Sequence, residues 1–242
     1  MAGFKTHITT STVVGIGYGA AGYWIGGVNP ATCVLATGLC SIAGMLPDLD
    51  SDQGVPLRES VTFAAAFVPM LLVDRLRAAG LETDLIVLTS AMTYIVIRFG
   101  LAEILKRYTV HRGMWHSIPA AAIAGLIGFL LCTSNDGLLE HLFKTLAVTL
   151  GFMTHLILDE IWSVEWKGPL PRFKKSFGTA LKFWSKNTWA NLSTYGKLLI
   201  LIVLVAFHMN DHMGYHNQWH ELQSLIDQWK EAIGNWGTRA HP

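Results

Sequence analysis

Stretches of apolar and small residues, each about one helix long, recur along the chain between polar breaks or breaks that contain proline or glycine. They lie approximately at residues 12–28, 31–47, 60–74, 85–105, 118–132, 143–162 and 197–209. Several are shorter than the roughly 20 residues that an untilted membrane span needs, which burial in a bundle or local bilayer thinning accommodates. The pattern therefore predicts an all-α, polytopic membrane helix bundle of six to seven hydrophobic segments.

The first segment carries small residues at helical spacing. Gly15 and Gly19, and then Gly22 and Gly26, are four residues apart, which places them on a helix face that a neighbouring backbone can approach closely. A glycine-rich nucleotide loop is disfavoured, because no predicted strand precedes these glycines and no Gly-Lys-Ser/Thr follows them. We therefore expect tight helix packing here.

The composition agrees with a membrane protein, since 51% of the residues are hydrophobic and only 14% are charged. The three cysteines, Cys33, Cys40 and Cys132, lie in apolar runs without C-x-x-C spacing. Their odd number and spacing indicate neither a disulfide framework nor a zinc ribbon. We interpret them as reduced packing residues.

The distribution of basic residues predicts the orientation of the bundle. If the first six segments all cross, the N-terminus, the 48–59 and 106–117 loops and the chain after residue 162 share one face. That face holds Lys5, Arg58, Lys106, Arg107, Arg112, Lys167, Arg172, Lys174, Lys175, Lys182, Lys186 and Lys197; the other holds Arg75, Arg77 and Lys144. The positive-inside rule makes the first face cytoplasmic.

The chain changes character after the sixth segment, which suggests three regions: a membrane-embedded helical domain (1–162), a basic and aromatic interfacial loop (163–197) and a final segment with a histidine-rich amphipathic tail (198–242). The lysines and aromatics of 163–197 fit anionic lipid headgroups, so membrane lipids are the expected partners. No nucleic-acid motif is present, and we expect no nucleic-acid partner. The tail repeats a histidine every fourth residue, at His208, His212, His216 and His220.

The predicted topology brings imidazole and carboxylate groups to one face of the membrane. His155 and Asp159 are four residues apart, so a helix places them on one side, one turn apart. The full set of candidate metal ligands is His7, Asp48, Asp50, His111, His116, His155 and Asp159. Ionisable groups at membrane depth are costly and mark functional sites by default.

The residue types limit the ion. Imidazole and carboxylate without thiolate suit zinc, manganese or iron, and seven ligands exceed the needs of one tetrahedral zinc. We expect a divalent transition metal, zinc or manganese above all, in a centre that is mononuclear or dinuclear. Such a centre activates water for attack on an ester or phosphoester.

Three sequence blocks, MLPDLDS (45–51), HRGMWHS (111–117) and GFMTHLILDE (151–160), follow an early histidine. In this order they resemble the YdjM-like family of bacterial inner-membrane proteins, described as metal-dependent hydrolases without an established substrate. The resemblance implies a multi-pass inner-membrane protein with metal-dependent hydrolase activity, and the distribution of basic residues predicts that its site faces the cytoplasm. The residues of this chain that match the family's motif are His7, Asp48, Asp50, His111, Arg112, His116, Ser117, His155 and Asp159.

The chain departs from the family pattern at Val110, where glycine is common, at Trp115, where threonine is common, and at Trp162-Ser163, where Thr-Pro is usual. These differences affect the shape of the site more than its ligands.

Further residues are candidates for catalysis. Arg112 is suited to bind an anionic group or to face anionic lipid. Asp52 and Glu160 are candidates for a general base or for partners of the ligands. Ser117 precedes Ile118-Pro119 and is expected to cap the fifth helix.

The sequence thus predicts a membrane-bound metal-dependent hydrolase, acting on a phosphoester or lipid-like ester. Two alternatives from other classes remain open: a transporter or metal-handling protein that uses the same cluster, and a di-iron oxygenase based on the H-x-x-x-x-H spacing of His111 and His116. A transporter predicts functional polar groups throughout the bilayer depth. An oxygenase requires further paired histidines.

Overall fold

The computed structural model describes residues 3–50, 55–101, 114–131, 137–167, 170–173, 178–213, 223–224, 226–227 and 230. Its helices are α1 (Phe4–Trp24), α2 (Pro30–Ala43), α3 (Val55–Ala78), α4 (Thr83–Ile95), α5 (Ile118–Leu131), α6 (Leu138–Ile161) and α7 (Thr188–Met213). A 3-10 turn (Leu46–Asp50) follows α2, and a π-helical turn (Val96–Leu101) continues α4. Each helix corresponds to one predicted apolar segment, so the all-α bundle is confirmed.

Helices in the described part of the chain differ in their capacity to cross a membrane. Four candidate spans are long and apolar enough: Pro30–Asp48, Thr83–Gly100, Leu138–Ile161 and Thr188–Met209. The apolar helix Ile118–Leu131 is shorter. The predicted number of six to seven segments is therefore approximate as a number of crossings.

Helix α1 begins at Phe4, eight residues before the predicted segment. The polar run after Phe4 is helical, and its hydroxyl groups are satisfied by bonds back to carbonyls of the preceding turn. Ser11 Oγ donates to the carbonyl of His7 at 2.7 Å, and Thr12 Oγ1 donates to the carbonyl of Ile8 at 2.6 Å. His7 therefore lies on α1, although the predicted apolar segment begins only at residue 12.

The second boundary difference concerns α7, which begins at Thr188 and not at 197. Asn187 explains the early start, because its side-chain oxygen accepts hydrogen bonds from the backbone of Trp189 and Ala190 and so caps the helix. Between α6 and α7 the strands β1 (Val164–Lys167) and β2 (Leu170–Phe173) form an antiparallel hairpin. Four-residue strands are too short for sequence alternation to predict them.

Helix α6 is the centre of the bundle and contacts α1, α2 and α5, whereas α3 packs on α4 and α5 packs on α7. Small residues permit its close approach to α2. A Cβ on Gly151 would collide with the carbonyl oxygen of Cys40. In the same way Gly15 and Gly19 lie against Thr37 and Cys33 of α2, which confirms the packing role predicted for them. These contacts fix the position of the C-terminal half of α6.

Candidate metal centre

The last two turns of α6 carry a buried imidazole and a buried carboxylate. His155 is 1% exposed and Asp159 is 7% exposed. Their spacing of four residues places them on one helix face, with His155 Nε2 3.8 Å from Asp159 Oδ2. The predicted helical pair is therefore present.

His7 reaches the same point from the second turn of α1. Its ring stacks on that of His155, with centroids 3.6 Å apart and an interplanar angle of 11°. Its Nε2 lies 3.3 Å from Asp159 Oδ1. The early histidine of the sequence motif is thus part of the cluster.

Asp48 comes from the 3-10 turn after α2. Its Oδ1 lies 3.5 Å from His155 Nε2 and 3.9 Å from His116 Nε2. Asp48 therefore links the α6 pair to the segment that precedes α5.

His116 is 2% exposed and lies in the turn just before α5. Its ring meets that of His155 edge-on, with centroids 5.8 Å apart. The neighbouring Ser117 is buried, donates to the carbonyl of Met114 and accepts from the backbone of Ala120. This is the capping role predicted for Ser117.

Trp115 anchors the turn that carries His116. Its indole N–H donates to the carbonyl of Leu46 at 2.8 Å, at the first residue of the turn that carries Asp48. Its ring packs edge-on against the buried Phe152 of α6, with centroids 6.1 Å apart. One side chain thus contacts all three segments that supply Asp48, His116 and His155.

The protonation of His155 follows from its backbone partner. His155 Nδ1 lies 2.7 Å from the carbonyl oxygen of Gly44. A carbonyl only accepts, so Nδ1 carries a proton, and Nε2 is the nitrogen whose lone pair the neutral form of the ring offers to a metal ion. Histidine ligands of metals characteristically donate their other N–H in this way.

His155 Nε2 faces two carboxylates, from Asp48 and Asp159. Within the described part of the chain this buried nitrogen makes no hydrogen bond, and its distances of 3.5 and 3.8 Å to the carboxylate oxygens exceed the usual 2.7–3.2 Å. Two carboxylates beside this nitrogen call for a positive charge, which a proton on Nε2 or a metal ion supplies. A tetrahedral ion with bonds of about 2.0 Å separates its ligand atoms by about 3.3 Å, so the residues fit a bound cation.

Two groups of three ligands can be distinguished, His7 with Asp48 and His155, and His116 with His155 and Asp159. In each group the ligand atoms all lie within 4.8 Å of one another. Since the groups share His155, the cluster is one continuous site with five contributing side chains. We call it the His/Asp cluster.

Other predicted site residues lie outside this description. His111, Arg112 and Asp52 are outside the described residues, as is the side chain of Asp50. Glu160 is described, and its carboxylate accepts from the backbone of Gly178 and Ala180. It thereby connects α6 to the loop before α7, and its role as a base stays a prediction.

Three contributors to the site were not predicted as such: the Gly44 carbonyl, Trp115 and Gly151. Gly151 lies one turn before His155 on the same face of α6, so its four-residue spacing from His155 could have indicated that it lies beside the site. Gly44 and Trp115 act through contacts between distant segments, and no local pattern indicates them.

Comparison with known proteins gives a family. A family model described as YdjM inner membrane protein matches residues 1–217 of the 242. The chain therefore belongs to this family, which confirms the resemblance carried by the three motif blocks. No curated protein and no solved structure matches the chain.

Proposed function

We propose that this member of the YdjM inner membrane protein family is a metal-dependent hydrolase that acts on an ester or phosphoester. One observation carries the proposal: the buried His155 ring is held through Nδ1 by the Gly44 carbonyl, and its Nε2 faces the carboxylates of Asp48 and Asp159. A bound divalent cation supplies the positive charge that these carboxylates call for, and the surrounding His7 and His116 extend the ligand set.

The donor set favours zinc or manganese, because it combines imidazoles and carboxylates without thiolate. Both ligand groups include His155, whose Nε2 offers one lone pair, so they describe two positions for one ion, and a second ion in a dinuclear centre would bind without His155. When bound, such an ion acts as a Lewis acid and activates water for hydrolysis. The chain's own residues hold it in position, since His155 is fixed by Gly44 and His116 by the Trp115 anchor.

A lipid-like substrate at the cytoplasmic surface fits the location of the cluster. The site lies at the C-terminal end of α6, the loop that follows exposes Phe183 (55%) and Trp184 (65%), and Trp189 (74%) is exposed in the first turn of α7. Aromatic side chains of this kind lie at the headgroup level of membranes, and Lys182 and Lys186 nearby fit anionic lipids. Arg112 and Asp52 are proposed to contribute anion binding and base chemistry.

The decisive experiment is metal analysis of the detergent-purified protein by elemental mass spectrometry. Wild type is compared with His116→Ala, Asp159→Ala and the control His208→Ala, which removes a histidine from α7 and not from the His/Asp cluster. We expect one or two equivalents of zinc or manganese in wild type and the control, and a reduced content in both cluster variants. Hydrolysis of bis(p-nitrophenyl) phosphate and of phospholipids is then measured on the same samples.

The proposal is contradicted if wild-type protein contains no metal after purification in the presence of added metal. It is also contradicted if His116→Ala and Asp159→Ala both contain as much metal as wild type. If wild-type protein contains metal but hydrolyses none of the tested esters, the metal centre is supported and the hydrolase assignment is wrong.

A second candidate function, metal or proton transport, is favoured by a different observation. Helix α6 also carries buried polar residues at its other end, His141 (0% exposed) and Lys144 (6% exposed). Polar groups at both ends of a buried helix are expected in a transporter. Uptake of zinc into proteoliposomes, lost in Asp159→Ala, would support transport, and absence of uptake with active hydrolysis would support the enzyme.

A further inference from the structure

The loop between the hairpin and α7 lies at the same end of the bundle as the His/Asp cluster. Its described part, residues 178–187, leads into the Asn187 cap of α7. Hydrogen bonds attach these residues to α6, to the start of α5 and to α7. We call residues 178–187 the strap.

Glu160 attaches the first end of the strap to α6. Its Oε1 accepts from the backbone N–H of Gly178, and its Oε2 accepts from that of Ala180 at 3.4 Å. Hydrogen bonds from backbone N–H groups to a carboxylate are stronger than those between neutral groups. Glu160 directly follows Asp159 in the sequence, so this anchor lies next to a member of the His/Asp cluster.

Gly178 gives the strap the backbone shape that this anchor needs. Its φ is +77°, in the left-handed region that glycine adopts far more readily than other residues. A Cβ at Gly178 would have no atom within 4 Å, so conformation and not space explains the glycine. Nearby N–H groups beside a left-handed residue can converge on one anion, and here they converge on the carboxylate of Glu160.

The strap also completes the start of α5. The backbone N–H of Ile118 donates to the carbonyl oxygen of Lys182 at 3.1 Å. The first N–H groups of a helix have no partner within the helix, and the hydroxyl of Ser117 serves that of Ala120. Ile118 lies two residues after His116, so the bond to Lys182 holds the backbone that carries this imidazole.

Packing fixes the strap between the same two helices. Ala180 is 6% exposed and belongs to the buried apolar cluster that includes Ala121 of α5 and Leu156 of α6. A side chain in a close-packed core has little room for displacement. The strap is therefore a fixed bridge between the helix that begins beside His116 and the helix that carries Asp159.

We propose that Glu160 is a positioning residue of the metal centre. Its carboxylate holds the strap, the strap holds the first turn of α5, and this turn keeps His116 beside Asp159. Both oxygens of Glu160 bond to the strap, which favours this role over that of a general base. The inference rests on the metal centre of the proposed function, but it does not require the centre to be hydrolytic.

Competitive zinc titration of the detergent-purified protein tests this role. Glu160→Ala removes both acceptor oxygens and is expected to weaken zinc binding about tenfold, as loss of a supporting partner does in other metal sites. Glu160→Gln keeps one acceptor oxygen and is expected to recover part of this loss. Full zinc affinity in both variants overturns the inference, and loss of hydrolysis at full affinity would identify Glu160 as a base instead.

A second variant disturbs the anchor without changing an acidic residue. Gly178→Ala strains the strap, because a φ of +77° disfavours a Cβ. Gly80→Ala in the turn between α3 and α4 is the matched control, since Gly80 has a φ of +80° and an added Cβ would also have no atom within 4 Å. Both variants are expected to lower the melting temperature by about 2–8 °C, but only Gly178→Ala should weaken zinc binding. Equal zinc affinity in the two variants overturns the inference.

The wild-type titration separates failure of the metal centre from failure of this inference. If wild type binds no zinc, the metal centre is wrong and the role of Glu160 in it is wrong as well. If wild type and Glu160→Ala bind zinc equally well, the metal centre stands and only the role of Glu160 is wrong. Hydrogen exchange of residues 114–121 in metal-free protein reports the first turn of α5 directly. We expect faster exchange in Glu160→Ala than in Gly80→Ala, and equal exchange overturns the inference.

Discussion

Gly151→Ala isolates the contribution of helix packing to the metal centre. Gly151 lies one turn before His155, at the point where α6 approaches α2 most closely. An added Cβ would collide with the carbonyl oxygen of Cys40 and would lie 3.0 Å from the Cβ of Ala43. The carbonyl belongs to a helix backbone and has no rotamer through which to escape, so α2 and α6 must separate.

The expected size of the effect follows from this geometry. Overpacking of a close-packed core costs about 1–3 kcal/mol. In a chain of this length each kcal/mol lowers the melting temperature by about 2–4 °C, so Gly151→Ala is expected to lower it by about 2–12 °C. Separation of the helices also moves His155 away from the Gly44 carbonyl on the α2 side, and loss of such a supporting bond weakens metal binding about 10–100-fold.

The matched control is Gly17→Ala on α1, where a Cβ would have no atom within 4 Å. Alanine is the better helix former by about 1 kcal/mol, so this control is expected to keep or slightly raise the melting temperature. Both variants are measured by thermal unfolding in detergent and by competitive zinc titration. Identical melting temperature and zinc affinity in Gly151→Ala and wild type would refute the link between this contact and the site.

Three further predictions concern the same region. Trp115→Phe keeps an aromatic ring but removes the N–H that bonds Leu46, so we expect lower zinc affinity, whereas the exposed Trp189→Phe should behave as wild type in the same titration. Ser117→Ala should lower stability by about 1 kcal/mol through loss of the helix cap and leave metal content and hydrolysis unchanged; loss of hydrolysis at full metal content would instead indicate a nucleophile. Removal of metal by a chelator should lower the melting temperature by about 5–10 °C, since a ligand at 100 times its dissociation constant adds about 2.7 kcal/mol, and no shift would contradict the presence of a bound ion.

The sequence predicted much of the bundle, because a run of apolar residues indicates a segment that is buried in the protein or faces lipid. The His155–Asp159 pair was also predictable, since four-residue spacing fixes relative orientation on a helix. The sequence analysis predicted that His7, Asp48 and His116 lie on the same side of the membrane, because it counted each of the first six apolar segments as one crossing. The structure brings these three residues to His155 through packing of α1 and α2 on α6 and through the Trp115 anchor.

Other features were beyond sequence reasoning for physical reasons. The early start of α1 was not predicted because Ser and Thr side chains also favour turns and caps, so a run of them gives no clear sequence signal for a helix. His141 and His208 come from distant helices and have ring centroids 6.3 Å apart, and His141 was not identified because it lies two residues before the predicted segment 143–162. Its spacing from His155 was the only available indication, as residues 141, 148 and 155 follow one helix face at intervals of seven.

The stretch of α6 between its two polar ends, Lys144 and His155, favours a hydrolase over a transporter. Lys144 and His155 are separated by about 16 Å along α6, and the buried residues between them include Ala147, Val148 and Phe152. The hydroxyl groups of Thr145 and Thr149 donate their protons to carbonyls of their own helix. Passage along this face would require the apolar core around α6 to open, whereas hydrolysis at the His/Asp cluster requires only access from one side of the membrane.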